Sequence, residues 1–125
     1  MASFKKYERL TGSRQIEKLF DRTGTTFKFF PLLFIIRQLT FSDEVSVKAL
    51  ISVSKKRLPR AVDRNCVKRR IRAIHQTHKL SLTKSIEQRG SCGVGIVYLT
   101  DSVLDSKEID KAYLKFLKKI DATDS

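Results

Sequence analysis

Between Ser54 and Lys79 the chain carries ten Lys and Arg residues (55, 56, 57, 60, 64, 68, 69, 70, 72 and 79) against one acid, Asp63, leaving +9 in 26 residues out of a net +13. Val67, Ile71 and Ile74 recur through the same stretch at helical spacing, so the charge rides on a helix with an apolar side. That combination constrains the fold strongly. The apolar side has to pack on a sheet, and the cationic side has to stay at the surface. A solvated helix face normally interleaves both signs to limit self-repulsion. A face that does not is built for a polyanion.

At about 100° per residue, with Arg64 as zero, Lys68 falls near 40°, Arg72 near 80°, Asn65 near 100° and Arg69 near 140°. Val67, Ile71, Ile74, Cys66 and Ala73 fall between about 180° and 340°, the expected packed side. Arg70 and Asp63 lie inside that apolar arc, which leaves two readings: they pair with each other, or the helix is only partly covered there. Guanidinium forks match phosphate oxygens, and the Asn65 amide offers a donor and an acceptor to a base edge or ribose.

The rest of the chain supplies elements to pack against this helix. Thr11-Gly12-Ser13 caps a short helix over about 14–22, with Ile16, Leu19 and Phe20 on one face and an end near Gly24. Phe27 to Leu39 is aromatic and β-branched and reads as a strand. Pro31 puts its start at an edge or bulge, with a possible extra break in the hairpin. Val45 to Ser54 alternates apolar and mostly polar residues, a half-exposed strand. Lys55 to Arg60 is a basic loop broken by Pro59. Residues 79–91 are ambiguous between a helical extension and a loop. Gly93 to Leu99 reads as a buried strand. Ser102 or Ser106 caps a last helix whose apolar face is Ile109, Ala112, Tyr113, Phe116, Leu117 and Ile120.

These 125 residues make one domain, with short loose ends expected at about 1–8 and 121–125. Cys66 and Cys92 form no CxxC pair, which argues against a zinc site or a disulfide framework and suits a reducing, cytoplasmic setting. The first residues lack the apolar core of a signal peptide, and the Phe29–Ile36 run is too short to span a bilayer. His75 and His78 could share one face at the end of the basic helix, but two histidines do not make a metal site, and added positive charge is the simpler role. Neither a nucleophile motif nor a phosphate-binding glycine loop is present, so no catalytic residue is assigned.

The run Ser52-Val53-Ser54-Lys55-Lys56, followed by Ala61-Val62-Asp63-Arg64-Asn65-Cys66-Val67-Lys68-Arg69-Arg70-Ile71-Arg72, resembles the signature of the protein subunit of bacterial ribonuclease P. The likeness extends over essentially the whole chain. It implies an α+β fold, a single-domain α/β sandwich related to the second domain of ribosomal protein S5. The order would be α-β-β-(β)-α-β-α, with a left-handed crossover through the basic helix against the usual right-handed rule. It also implies an accessory subunit of an RNA-based endonuclease that matures tRNA 5′ ends, one protein per RNA, with Mg²⁺ held through the RNA and no membrane partner. Lys55, Lys56, Arg57, Arg60, Arg64, Asn65, Lys68, Arg69 and Arg72 would bind the catalytic RNA. Ile16, Phe20, Ile35, Ser52 and Ser54 would line a cleft for the 5′ leader of precursor tRNA. Cys66 stands where the family usually has arginine, and Ile16 and Ile35 stand where it often has aromatics. A ribosomal-type structural RNA-binding protein is the alternative reading; a DNA-binding module lacks the helix-turn-helix pattern.

Overall fold

A computed structural model describes residues 9–10, 13–21, 24–41, 47–86 and 90–123. The elements run α1 (Ser13–Leu19), β1 (Thr25–Phe29), β2 (Leu32–Gln38), β3 (Val47–Ser52), α2 (Ala61–Ile86), β4 (Cys92–Tyr98) and α3 (Ser106–Thr123). The strands form one sheet in the order β1-β2-β4-β3. β1 with β2 and β2 with β4 are antiparallel, while β3 and β4 are parallel and joined through α2. The result is a mixed α+β domain of four strands and three helices.

Alternation along the strands assigns each side chain to one of two layers. Leu32, Phe34 and Ile36 of β2 join Cys92, Val94, Ile96 and Tyr98 of β4 on the side covered by α2 and α3. There Phe34 stacks on Phe116 with centroids 3.8 Å apart, and Tyr113 meets Phe34 edge-on. On the opposite side Ile35 packs with Leu10, Leu19 and Leu39 under α1. β4 is thin on this side because it has glycine at positions 93 and 95. A Cβ on Gly95 would stand 3.0 Å from Leu19 Cδ2, and one on Gly93 only 2.6 Å from Leu39 Cδ1. α1 and the end of β2 therefore settle directly onto the β4 backbone.

Several sequence expectations change here. The stretch over 27–39 takes the possible break: it is two strands, with Phe30-Pro31, joined by a cis peptide bond, forming the hairpin turn between them. α1 stops at Leu19, short of 22, and β3 is described from Val47 to Ser52; residues 45 and 46 lie outside the described residues. The ambiguous 79–91 segment continues α2 to Ile86, because Leu82 and Ile86 are fully buried and prolong its packed stripe. Neither serine caps α3. Asp105 does, its Oδ1 accepting the Glu108 N–H at 3.0 Å, and Ser106 is the first helical residue. α3 carries through Thr123, into the stretch expected as a loose end, whereas residues 1–8 lie outside the described residues.

Candidate nucleic-acid interface

The basic corner begins where β3 ends. The Ser54 hydroxyl accepts the Arg57 N–H at 3.1 Å, and the Ser54 carbonyl accepts the Leu58 N–H at 3.0 Å. These bonds wind residues 54–58 into a turn, pinned from within by the buried Leu58 side chain. Arg64 then reaches back from the first turns of α2, and its Nη1 donates to the Leu58 carbonyl at 2.9 Å and the Pro59 carbonyl at 2.8 Å. The loop is thus braced at both ends, and Lys55, Lys56, Arg57 and Arg60 point outward from it, all exposed. Two of the residues expected to meet RNA thus also brace the loop. Ser54 spends its hydroxyl on the turn, and Arg64 is engaged at one terminal nitrogen with its own loop.

Along α2 the buried positions are Val67, Ile71, Ile74, His75, Gln76, Leu82 and Ile86. Apart from Gln76, that stripe is centred near 340° on the wheel, some way round from the expected apolar arc. Ala73, expected to pack, is exposed, and Cys66 is half-exposed rather than turned inward. The expected cationic arc consequently divides. Asn65 and Arg69 stand exposed on the outer ridge. Lys68 and Arg72 are half-buried on the flank that faces β3, beside an open notch of about 250 Å³. Arg9 and Leu10 close the other wall, held by a parallel bridge to Ala49 and the Leu10 N–H bonded to the Ala49 carbonyl at 2.9 Å. Arg9 was missed in the sequence because a two-residue bridge leaves no periodic signal.

Arg70 does not pair with Asp63. It turns to the opposite flank and donates to the Leu104 carbonyl, tying α2 to the segment before α3. The Tyr98 hydroxyl joins the same junction, donating to the Ser102 carbonyl at 2.6 Å and accepting the Leu104 N–H at 3.0 Å. Burial pushes the Tyr98 phenol above its ordinary value, against the opposing pull of the Leu104 hydrogen bond and of Arg70.

The histidines also turn away from the exposed charge. His75 is buried, with Nδ1 2.7 Å from the Tyr113 hydroxyl. His78 stacks over Tyr113, and its Nε2 lies 2.8 Å from Asp110 Oδ1. They belong to the α2–α3 seam, and the carboxylate neighbour that the sequence did not reveal comes from α3. Among the described residues no group of three or more His, Cys, Asp or Glu is arranged to hold a metal. No helix of the described residues is long and apolar enough to cross a membrane.

The residues expected in the leader cleft mostly share the α1 side of the sheet. Ile35 is buried under α1, while Ile16 and Ser52 are half-exposed. Phe20 stands just past the end of α1 and is 42% exposed, whereas its neighbour Leu19 is fully buried. Leu33, Leu50 and Val97 extend a half-covered apolar floor, and Lys48 lies 5.0 Å over the Phe41 ring at its margin. α1 is held above this floor by Gln15 Nε2 donating to the Thr40 carbonyl at 2.9 Å and by the Arg37–Asp21 ion pair at 3.3 Å. Ser54 is exposed at the turn beyond β3, beside the basic loop.

Residues 4–121 match the family model described as Ribonuclease P. The chain belongs to the ribonuclease P protein family. The ribonuclease P protein component of Porphyromonas gingivalis (strain ATCC 33277) is 30% identical over 116 residues, covering 92% of this chain and 84% of that one. The ribonuclease P protein component of Chlorobaculum tepidum is 34% identical over 77 residues, 60% of this chain and 50% of its own. The fold is shared with the Staphylococcus aureus RNase P protein, at a TM-score of 0.65 and 21% identity, covering 90% of this chain and 94% of that one. A mutant of that protein described as defective in mRNA degradation activity gives a TM-score of 0.68 at 19% identity, over 91% and 88% of the two chains. As a ribonuclease P protein component, the chain is a subunit of an endoribonuclease that acts in tRNA processing, and a component of that complex implies an RNA partner.

Proposed function

We propose that this chain binds the catalytic RNA of ribonuclease P through the braced basic corner and holds the 5′ leader of precursor tRNA against the α1 side of the sheet. One observation carries the reading. Lys55, Lys56, Arg57, Arg60, Asn65 and Arg69 are all exposed on one loop–helix corner whose backbone is fixed by Ser54 and Arg64, with Asp63 the one acid in that run. A fixed cationic surface neutralises phosphates without first losing conformational freedom, which favours tight, salt-sensitive RNA binding. Cys66, half-exposed where the family usually has arginine, trims that surface by one charge.

In this reading the RNA, with its bound Mg²⁺, hydrolyses the phosphodiester at the mature 5′ end, and the protein contributes position and charge. One protein serves each RNA, in the cytoplasm. Phe20 and the half-exposed floor of Leu33, Leu50 and Val97 give unpaired leader bases an apolar surface, as single strands require. The test is precursor-tRNA cleavage by the ribonuclease P RNA of the same organism at low Mg²⁺, with and without the protein. The protein is expected to lower the Mg²⁺ requirement and to favour precursor over mature tRNA. If it does neither, the reading fails.

A further inference from the structure

We propose that the single-stranded leader crosses the open face of the sheet from strand to strand, from Ser52 over Val97 and Leu33, and is anchored at the far edge by Lys28 and the ring of Phe30. The proposal rests on the leader-binding reading above and deepens it. It gives the strand a path and assigns it two residues of the β1–β2 hairpin, remote in sequence from α1 and from the basic corner.

The path follows from the register. Lys28 pairs with Leu33, Leu33 with Val97 and Val97 with Ser52, so these residues lie side by side on the four strands. Strand alternation puts the row on the α1 side, because the sequence neighbours Phe27, Phe34, Ile96 and Val53 belong to the core on the other side. The adjacent rows on β4 are covered, with Leu19 over Gly95 and Leu39 over Gly93. The Lys28 row is the first left open: Leu33, Val97 and Ser52 are half-exposed and Lys28 is exposed. Three strand spacings of about 4.8 Å make the row about 14 Å long, the reach of roughly two to four unpaired nucleotides.

The chemistry along the row suits one strand of RNA. Ser52 adjoins the basic loop, Leu33 and Val97 give a base an apolar bed, and Lys28 sets a cation for a phosphate at the β1 edge. No Asp or Glu stands on any of the four described strands, so nothing on them repels a polyanion. Phe30 completes the edge. It lies at the hairpin turn two residues on from Lys28 and is 65% exposed, whereas Phe29 packs against the core. A ring so exposed gains little from the fold, and a base stacked on it restores apolar contact. Leu99, half-buried, continues the apolar surface from Val97 toward that turn, its N–H bonded to the Pro31 carbonyl at 2.8 Å. An A-form duplex keeps its bases stacked on one another, so it cannot lay them on Leu33 or Phe30.

The test is equilibrium binding of precursor and mature tRNA to the full chain assembled with the ribonuclease P RNA of the same organism. Phe30→Ala, checked for fold by circular dichroism, should weaken precursor binding at least about fivefold and leave mature tRNA binding unchanged. Lys28→Gln should flatten the log–log salt dependence of the precursor-over-mature ratio by about 0.7, the share of one phosphate on a single strand. Lys118→Gln, exposed on α3, should change neither. Unchanged precursor binding in a folded Phe30→Ala protein, or a loss that mature tRNA shares equally, overturns the path. If the wild-type assembly favours precursor and Phe20→Ala weakens that preference while Phe30→Ala does not, the path falls and the leader reading stands. If the wild-type assembly does not favour precursor at all, the leader reading falls and the path with it.

Discussion

Neighbouring residues in this chain divide structural from functional work, and the division is testable. Leu19 is fully buried and rests on Gly95, whereas Phe20, next in sequence, is 42% exposed. Leu19→Ala is therefore expected to cost about 2–5 kcal/mol in chemical denaturation. Phe20→Ala should cost only about 1 kcal/mol of stability, well short of Leu19→Ala, while weakening affinity for leader-bearing substrate. Unchanged precursor affinity in a folded Phe20→Ala protein would remove that residue from the cleft. Arg64 and Arg69 form a second such pair. Arg64→Ala leaves the Leu58 and Pro59 carbonyls without their donor and should destabilise the fold by about 1–3 kcal/mol. Arg69→Ala, on the open ridge, should leave thermal stability nearly unchanged and weaken RNA binding. Helical spacing could not separate the members of either pair. Phe20 and Leu19 both fit an apolar face, and what exposes Phe20 is that α1 ends one residue before it.

The elements were legible to the extent that their own side chains define them. α3 has a clean apolar stripe, and each of its six expected core positions is buried. β4 was expected from its run of small and β-branched residues and begins one residue earlier, at Cys92. α2 was recognised as an amphipathic helix, but its packed stripe was assigned too far round the wheel. Three positions account for the error: Leu82 and Ile86, beyond the expected end of the helix, and His75, which turns inward onto Tyr113, draw the stripe round, while Cys66 and Ala73 fall outside it. Periodicity counts a residue such as His75 as exposed because its partner comes from distant sequence. The α2–α3 seam also makes the stability of the fold sensitive to alkali. Burial alone drives the Tyr113 phenol well above its ordinary value of 10.0, so the folded state keeps a proton that the unfolded chain releases. Stability is therefore full below about pH 10 and falls above it, by about 1.4 kcal/mol per pH unit for this one group. Denaturant melts between pH 9 and 11 should show the decline. Tyr113→Phe, although it loses the His75 contact, should flatten it; an equally steep decline in that variant would assign the loss to other groups.

For the molecule as a whole, the sheet separates two surfaces of different chemistry. One side is closed by α2 and α3 over an aromatic core. The other is only partly covered by α1, leaving an apolar floor with basic residues at its margin. The basic loop and α2 lie at the β3 edge, where the two sides meet, so one small domain can touch a large RNA and a single strand together. The excess of Lys and Arg was plain in the sequence. That Arg64 braces its own loop, and that Lys68 and Arg72 line a recess with Arg9, depended on tertiary contacts. If the basic corner and the notch together neutralise about six phosphates, the logarithm of the RNA binding constant should fall against the logarithm of salt concentration with a slope of about −4 to −5. The most direct measurement is that slope, taken by equilibrium binding to the ribonuclease P RNA of the same organism, for the wild type and for Lys68→Gln/Arg69→Gln/Arg72→Gln. The account predicts that removing the three charges flattens the slope by about 2 to 3 with the fold intact. An unchanged slope in the folded triple variant would mean that α2 does not meet the RNA.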